Sequence, residues 1–169
     1  KIYQGIYGNN IIFSTEIEGG ILSMNKGYSK VVDRFLLGGR SFRGFKYSGI
    51  GPRELTGGGG GQYTIPLGGE KYAIARFAAS FPLGLPRELG LYGSVFAEAG
   101  SLWSIKTDPN VAGLSDKITL TDRALRTSIG FAMNWETPIG PLQFNWSRPQ
   151  KYLSADSLEY FSLNLATRF

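Results

Sequence analysis

The sequence predicts an all-β chain, specifically an antiparallel transmembrane β-barrel of the outer-membrane type, on three observations. The last dozen residues, Leu158–Phe169, alternate apolar and polar and end on an aromatic. Phe161, Leu163, Leu165, Thr167 and Phe169 share one side and Tyr160, Ser162, Asn164, Ala166 and Arg168 the other, because successive strand side chains face opposite ways. Glycine supplies 24 residues and aromatics 14%, a balance that favours strands joined by many turns. Short connections (around Gly8–Asn10, Gly84–Glu88 and Pro138–Gly140) alternate strictly with long ones (about 23–69, 103–124 and 148–157). That sorting is expected of a barrel with short periplasmic turns and long external loops, and it puts the carboxyl terminus on the short-turn side.

The elements follow in order. Lys1–Tyr7 reads as the tail of a strand and Gly8-Asn9-Asn10 as its turn. Ile11–Leu22 sets Ile11, Phe13, Ile17 and Ile21 against Ser14, Glu16 and Glu18. Glu70–Leu83 sets Ala73, Ala75, Phe77, Ala79 and Phe81 against Arg76, Ala78 and Ser80. Leu89–Leu102 follows a Pro- and Gly-rich turn. Leu125–Thr137 alternates almost throughout, with Leu125, Thr127, Ile129, Phe131, Met133 and Trp135 opposed to Arg126, Ser128, Gly130, Ala132, Asn134 and Glu136. Pro141–Ser147 turns Leu142, Phe144 and Trp146 one way, and Leu158–Phe169 is the final strand. No segment carries a helical period.

Composition narrows the function. The hydrophobic fraction is 42% and the mean hydropathy −0.10, and no apolar run approaches the ~18 residues of a spanning helix. A barrel has such middling hydropathy because only alternate residues meet lipid. Cysteine and histidine are absent, which excludes disulfides, thiol nucleophiles, Cys/His zinc sites and Ser-His or Cys-His triads. No cofactor, no metal and no enzymatic activity are expected. The net charge of +5 is spread over scattered and loop-borne residues, without the basic helix or stacking platform that nucleic-acid binding needs. The opening at Lys1-Ile2-Tyr3, in mid-pattern and without a signal peptide, reads as a piece of a longer precursor.

One face of these strands carries Glu16, Glu18, Arg76, Glu98, Arg126, Asn134 and Glu136. A tight soluble barrel needs an apolar, filled interior, and an unpaired buried charge is too costly there. The charges therefore line a wide aqueous lumen, and residues 1–169 read as the C-terminal part of a larger barrel.

The most specific string lies in the long loop: Leu37-Gly38-Gly39-Arg40-Ser41-Phe42-Arg43-Gly44-Phe45, followed by Gly49-Ile50-Gly51-Pro52. It resembles the sixth extracellular loop of the BamA family, the insertases and transporters of the β-barrel assembly superfamily, whose mark is Val/Ile-Arg-Gly-Phe/Tyr after Gly-Gly. Leu67-Gly68-Gly69 into Phe81-Pro82-Leu83, Val95–Trp103 and Trp135–Leu142 fit the same family in order, so the resemblance covers essentially the whole chain. It implies about five full strands of a sixteen-strand barrel, preceded by part of another.

The resemblance further implies that the loop folds back into the lumen and that its arginine meets a wall acid. Arg43, Gly44, Phe45, Gly38 and Gly39 are then the loop anchor and Glu98 its partner, with Glu where the family usually has Asp. Two positions depart from the family: Phe42 precedes the arginine in place of a small aliphatic, and Ala78 stands where a second wall glutamate is common, with Arg76 nearby. Glu16, Glu18 and Glu136 are the acids available to compensate. The implied function is insertion of β-barrel proteins into the bacterial outer membrane, by strand templating at a lateral seam whose strand carries Phe161, Leu163, Leu165 and Phe169. The implied partners are unfolded outer-membrane β-barrel clients, outer-membrane lipids and, through periplasmic domains outside this chain, assembly lipoproteins. A two-partner-secretion transporter shares the loop motif, and a diffusion porin shares the alternation. Gly57–Gly61, lacking a following Gly-Lys-Ser/Thr, is no phosphate loop and reads as a flexible linker.

Overall fold

The computed structural model describes residues 1–6, 10–25, 27–56, 63–106, 118–119, 123–138 and 140–165. Within them ten strands form two sheets: β1 (Ile2–Ile6), β2 (Ile11–Ile21), β3 (Arg53–Thr56), β4 (Tyr63–Pro66), β5 (Lys71–Pro82), β6 (Leu91–Trp103), β7 (Ile118–Thr119), β8 (Arg126–Thr137), β9 (Gly140–Lys151) and β10 (Phe161–Leu165). The main sheet is antiparallel throughout, in the order β1-β2-β5-β6-β8-β9-β10. Each strand pairs with the next main-sheet strand in sequence, the up-and-down order that short turns and alternating loops enforce.

Seven strands enter this sheet, one more than the five and a part that the family resemblance implies. Lys1–Tyr7 and Ile11–Leu22 each contribute a separate ladder, Ile2↔Thr15 to Ile6↔Ile11 on one side of β2 and Ile12↔Ser80 to Ile21↔Lys71 on the other. Residues directly opposite share a face. The row Glu16–Arg76–Glu98–Ser128 therefore lies on one side of the sheet, and Phe77–Ala97–Ile129 on the other.

Several predicted boundaries shift. The last strand, expected from Leu158, begins at Phe161 because Ser157–Glu159 pair with the long loop instead, and three further shifts have a visible cause. The strand expected from Leu89 begins at Leu91, because Arg87–Leu89 closes a 3-10 turn whose Leu89 N–H reaches Pro86 O at 3.1 Å. The strand expected to end at Ser147 continues to Lys151; Pro149, which has no N–H to give, is accommodated next to a register shift opposite Thr127 and Ser128. Glu70, expected to start a strand, is instead buried at the loop root, accepting from Ser29 Oγ at 2.7 Å and the Lys106 N–H at 3.3 Å.

The long loop has structure of its own. β3 pairs with β4 and with β7 from the following loop, a three-stranded sheet that no alternation announced. Leu37, Phe42, Phe45 and Ile50 of the loop pack on Ile74 and Leu102 of the wall, so the hydrophobic core lies between loop and sheet. Burial of each such side chain contributes about 1.5–3 kcal/mol. Arg34 clamps the root, giving hydrogen bonds to Ser29 Oγ, Ser29 O and Leu67 O. Gly57–Gly61, Gly8 and Asn9 lie outside the described residues.

Candidate functional site

Three glycines bend the loop into a hook. Gly38, Gly39 and Gly44 have φ of 126°, 60° and 93°, where L side chains are rarely found. Space is also closed to a side chain at two of them. A Cβ on Gly38 would overlap the Lys46 carbonyl, and one on Gly44 would lie 2.9 Å from Ser128 Cβ. The Gly39 N–H donates to Phe45 O at 2.6 Å, closing the turn that presents Arg43 to the wall.

Arg43 is gripped by side chain and backbone together. Its Nε and Nη2 both lie 2.7 Å from Glu98 Oε1, while its backbone N–H donates to Oε2 at 2.7 Å. Its carbonyl accepts from Ser128 Oγ at 2.6 Å. The guanidinium lies over Phe96, 3.5 Å from the ring centroid, and the ring in turn occupies the space over Gly130. Glu98 is 3% exposed. Charge-assisted hydrogen bonds in such shelter are about twice as strong as neutral ones, and cation–π contact adds about 0.5–2 kcal/mol. Phe42 fills the core at 0% exposure beside Phe45, their ring centroids 4.9 Å apart. The bulky residue before the arginine is thus a packing element.

A cation supplies the second attachment to the wall, near Ala78. Arg76 gives Nε and Nη2 to Ser41 O at 3.0 and 2.7 Å, while its Nη1 meets Glu18 at 2.8 Å and Glu16 at 3.4 Å. Glu16 and Glu18 therefore act through Arg76 and do not touch Arg43. Glu136 takes no part in either attachment among the described contacts.

The hook also reaches the last strand. The Glu159 N–H donates to Gly44 O at 3.0 Å, the Lys46 N–H to Ser157 O at 2.9 Å and the Ser157 N–H to Gly49 O at 2.8 Å, and Phe45 bridges Leu158. Residues leading into β10 are thereby paired with the loop. β10 itself pairs only with β9 among the described residues, by Phe161↔Trp146 to Leu165↔Leu142. Phe161, Leu163 and Leu165 point away from the hook and are about half exposed. Phe169 lies outside the described residues.

Sequence reasoning missed a third attachment. Arg126 Nε and Nη2 form a two-point pair with Asp156, both at 3.1 Å, and both side chains are fully buried. Asp156 also accepts the Leu153 N–H at 2.7 Å, fixing the loop before β10. Nearby Arg53 reaches Ser48 O at 3.0 Å. Burial pushes its guanidinium down from the ordinary arginine range, with Asp156 opposing the shift and Arg126 adding to it. Arg126 was legible as a lumenal charge; Asp156 sits in an unpatterned loop, 30 residues away in sequence, and only folding joins them.

An open antiparallel sheet with an oily face, a charged face and a glycine-arginine hook tied to the charged face defines a segment of an outer-membrane barrel. The chain belongs to the Omp85 superfamily, whose domain model matches residues 1–169. It is 31% identical over 172 residues to the outer membrane protein assembly factor BamA of Neisseria meningitidis serogroup B, covering 89% of this chain and 21% of that protein. It is 33% identical over 137 residues to a SAM50-like protein of Schizosaccharomyces pombe, covering 78% of this chain and 26% of that one. The crystal structure of Haemophilus ducreyi BamA lacking POTRA domains 1–3 superposes with a TM-score of 0.77 over 95% of this chain and 32% of that chain; at 22% identity this is a likeness of fold. The chain spans about a fifth to a quarter of the length of these curated relatives.

Proposed function

We propose that this chain is the seam-bearing part of an outer-membrane insertase, in which the lumenal hook holds the last strand ready to template client β-strands. The whole protein would reside in the bacterial outer membrane, take unfolded β-barrel proteins as clients, and meet assembly lipoproteins through periplasmic domains outside this chain. The observation that carries the reading is the double attachment of the hook. Arg43 is bound to Glu98 on β6, while the adjacent Gly44–Gly49 backbone is bound to Ser157–Glu159 just ahead of β10. A strand with one free edge exposes unpaired N–H and C=O groups and adds other strands readily. Holding its leading end in place fixes the register at which a client would join.

No covalent step is required. Arg43, Gly38, Gly39, Gly44, Phe45 and Glu98 act as the anchor, and β10 acts through its main chain while Phe161, Leu163 and Leu165 face lipid. The test is client folding by the full-length protein in lipid vesicles, comparing the natural sequence with Arg43→Ala. Slowed client folding with the insertase itself still folded supports the reading; unchanged client folding contradicts it.

A further inference from the structure

The outward face near the seam bears cations where a lipid-facing surface should have none. Arg148 stands opposite Ile129 on that face, the next outward position after Trp146 on β9, and is exposed. Past the register shift Lys151 stands opposite Thr127, also outward and exposed. The only acid on β8 is Glu136, which the alternation turns inward, and β9 has none. Arg148 forms no ion pair among the described residues.

Arg148 borders a depression, and Lys151 follows beyond it on the same face. Val95, Ile129, Trp146, Arg148 and Tyr160 line a shallow outward cavity of about 610 Å³, predominantly apolar, floored near Gly130. On the loop-length argument its charged end is the external one. Trp146 continues an aromatic cluster, 5.5 Å from Phe161 and 6.0 Å from Phe131 by ring centroids, and tryptophan favours the boundary between hydrocarbon and headgroups. An arginine one outward step beyond that boundary places its guanidinium at headgroup depth, where a planar fork suits phosphate oxygens.

From this geometry we infer a lipid-docking site: one outer-leaflet lipid with a phosphate-bearing headgroup, held at the headgroup by Arg148 and Lys151 and along an acyl chain by Val95, Ile129 and Trp146. The inference rests on the outer-membrane reading above. It fits a lipid better than a protein segment, because the floor is apolar, the rim is cationic and the site opens on the face that meets acyl chains. The lipid would sit on the outer side of β6, β8 and β9, directly beside the seam strand.

The experiment reads fluorescence of Trp146 in the full-length protein, defined as the signal lost in Trp146→Phe. The protein is placed in phosphatidylcholine vesicles containing a minor fraction of a brominated lipid, either phosphatidic acid or phosphatidylcholine. The expected result is stronger quenching by the phosphatidic acid, with apparent preference falling roughly fivefold in Arg148→Gln, further in the Arg148→Gln/Lys151→Gln pair, and largely kept in Arg148→Lys. Equal quenching by the two lipids, or a preference unchanged in Arg148→Gln, overturns the site. Loss of the preference on adding inorganic phosphate also overturns it, because the cations would then bind free anion. Vesicles made wholly of brominated phosphatidylcholine separate the two levels: no quenching of Trp146 there refutes the membrane reading itself, whereas quenching without headgroup preference refutes only the docking site.

Discussion

Glu98 holds Arg43 by both of its carboxylate oxygens, one on the guanidinium and the other on the arginine's own backbone N–H, each at 2.7 Å. The carboxylate therefore serves both the side chain and the backbone of residue 43, contacts that Arg43→Ala separates and Glu98→Ala removes together. Removing one partner of a buried pair costs about 3–5 kcal/mol. Glu98→Ala is expected to impair client assembly more than Arg43→Ala, measured as the level of assembled outer-membrane barrels in cells carrying the full-length variants. A charge swap, Arg43→Glu with Glu98→Arg, restores only part of the loss, because the residue-43 N–H then faces a guanidinium.

The fold was legible because alternation is a local signal: Arg126–Thr137 and Phe161–Leu165 show their two faces without knowledge of any neighbour. The anchor was legible only through the family resemblance, since Arg43 and Glu98 stand 55 residues apart. What escaped was set by folding itself. The small β4-β3-β7 sheet joins two loops, Asp156 finds Arg126 from a separate loop, and Phe96 acquires its place under Arg43 from the bare backbone at Gly130. The run of β9 past Ser147 escaped too, since a proline is tolerated inside a strand only where a register shift accommodates it.

The Arg126–Asp156 pair predicts an asymmetry between breaking and replacing it. Asp156→Asn or Arg126→Gln leaves an uncompensated buried group and should destabilise by about 3–5 kcal/mol. The loop before β10 is expected to become protease-sensitive first, and limited proteolysis with fragment mapping checks this. Replacing both partners, Arg126→Met with Asp156→Leu, should recover much of the stability.

Two glycines with positive φ give a matched comparison. Gly44→Ala meets both backbone strain and Ser128 at 2.9 Å, whereas Gly27, at φ 79°, has nothing within 4 Å of the position its Cβ would take. Gly27→Ala should cost about 1–2 kcal/mol, the strain alone. Gly44→Ala should cost clearly more and release the hook, read as faster hydrogen exchange at the Glu159 amide, whose N–H Gly44 O accepts.

Phe96→Leu removes the ring beneath the Arg43 guanidinium while leaving Glu98 in place. The stacking contribution, about 0.5–2 kcal/mol, should be lost in the presence of Arg43 and absent from the Arg43→Ala background. A double-mutant cycle on unfolding in denaturant measures that coupling.

The most direct test of strand templating at β10 is site-specific photo-crosslinking in cells between the full-length protein and a client stalled during assembly. Among the described residues, probes at Ser162 and Asn164 sit on a strand paired along one edge, and a probe at Ala75 sits on β5, paired on both sides. Adducts at Ser162 and Asn164 with none at Ala75 are the predicted result. Client adducts absent from β10, or equally strong at Ala75, would contradict the account.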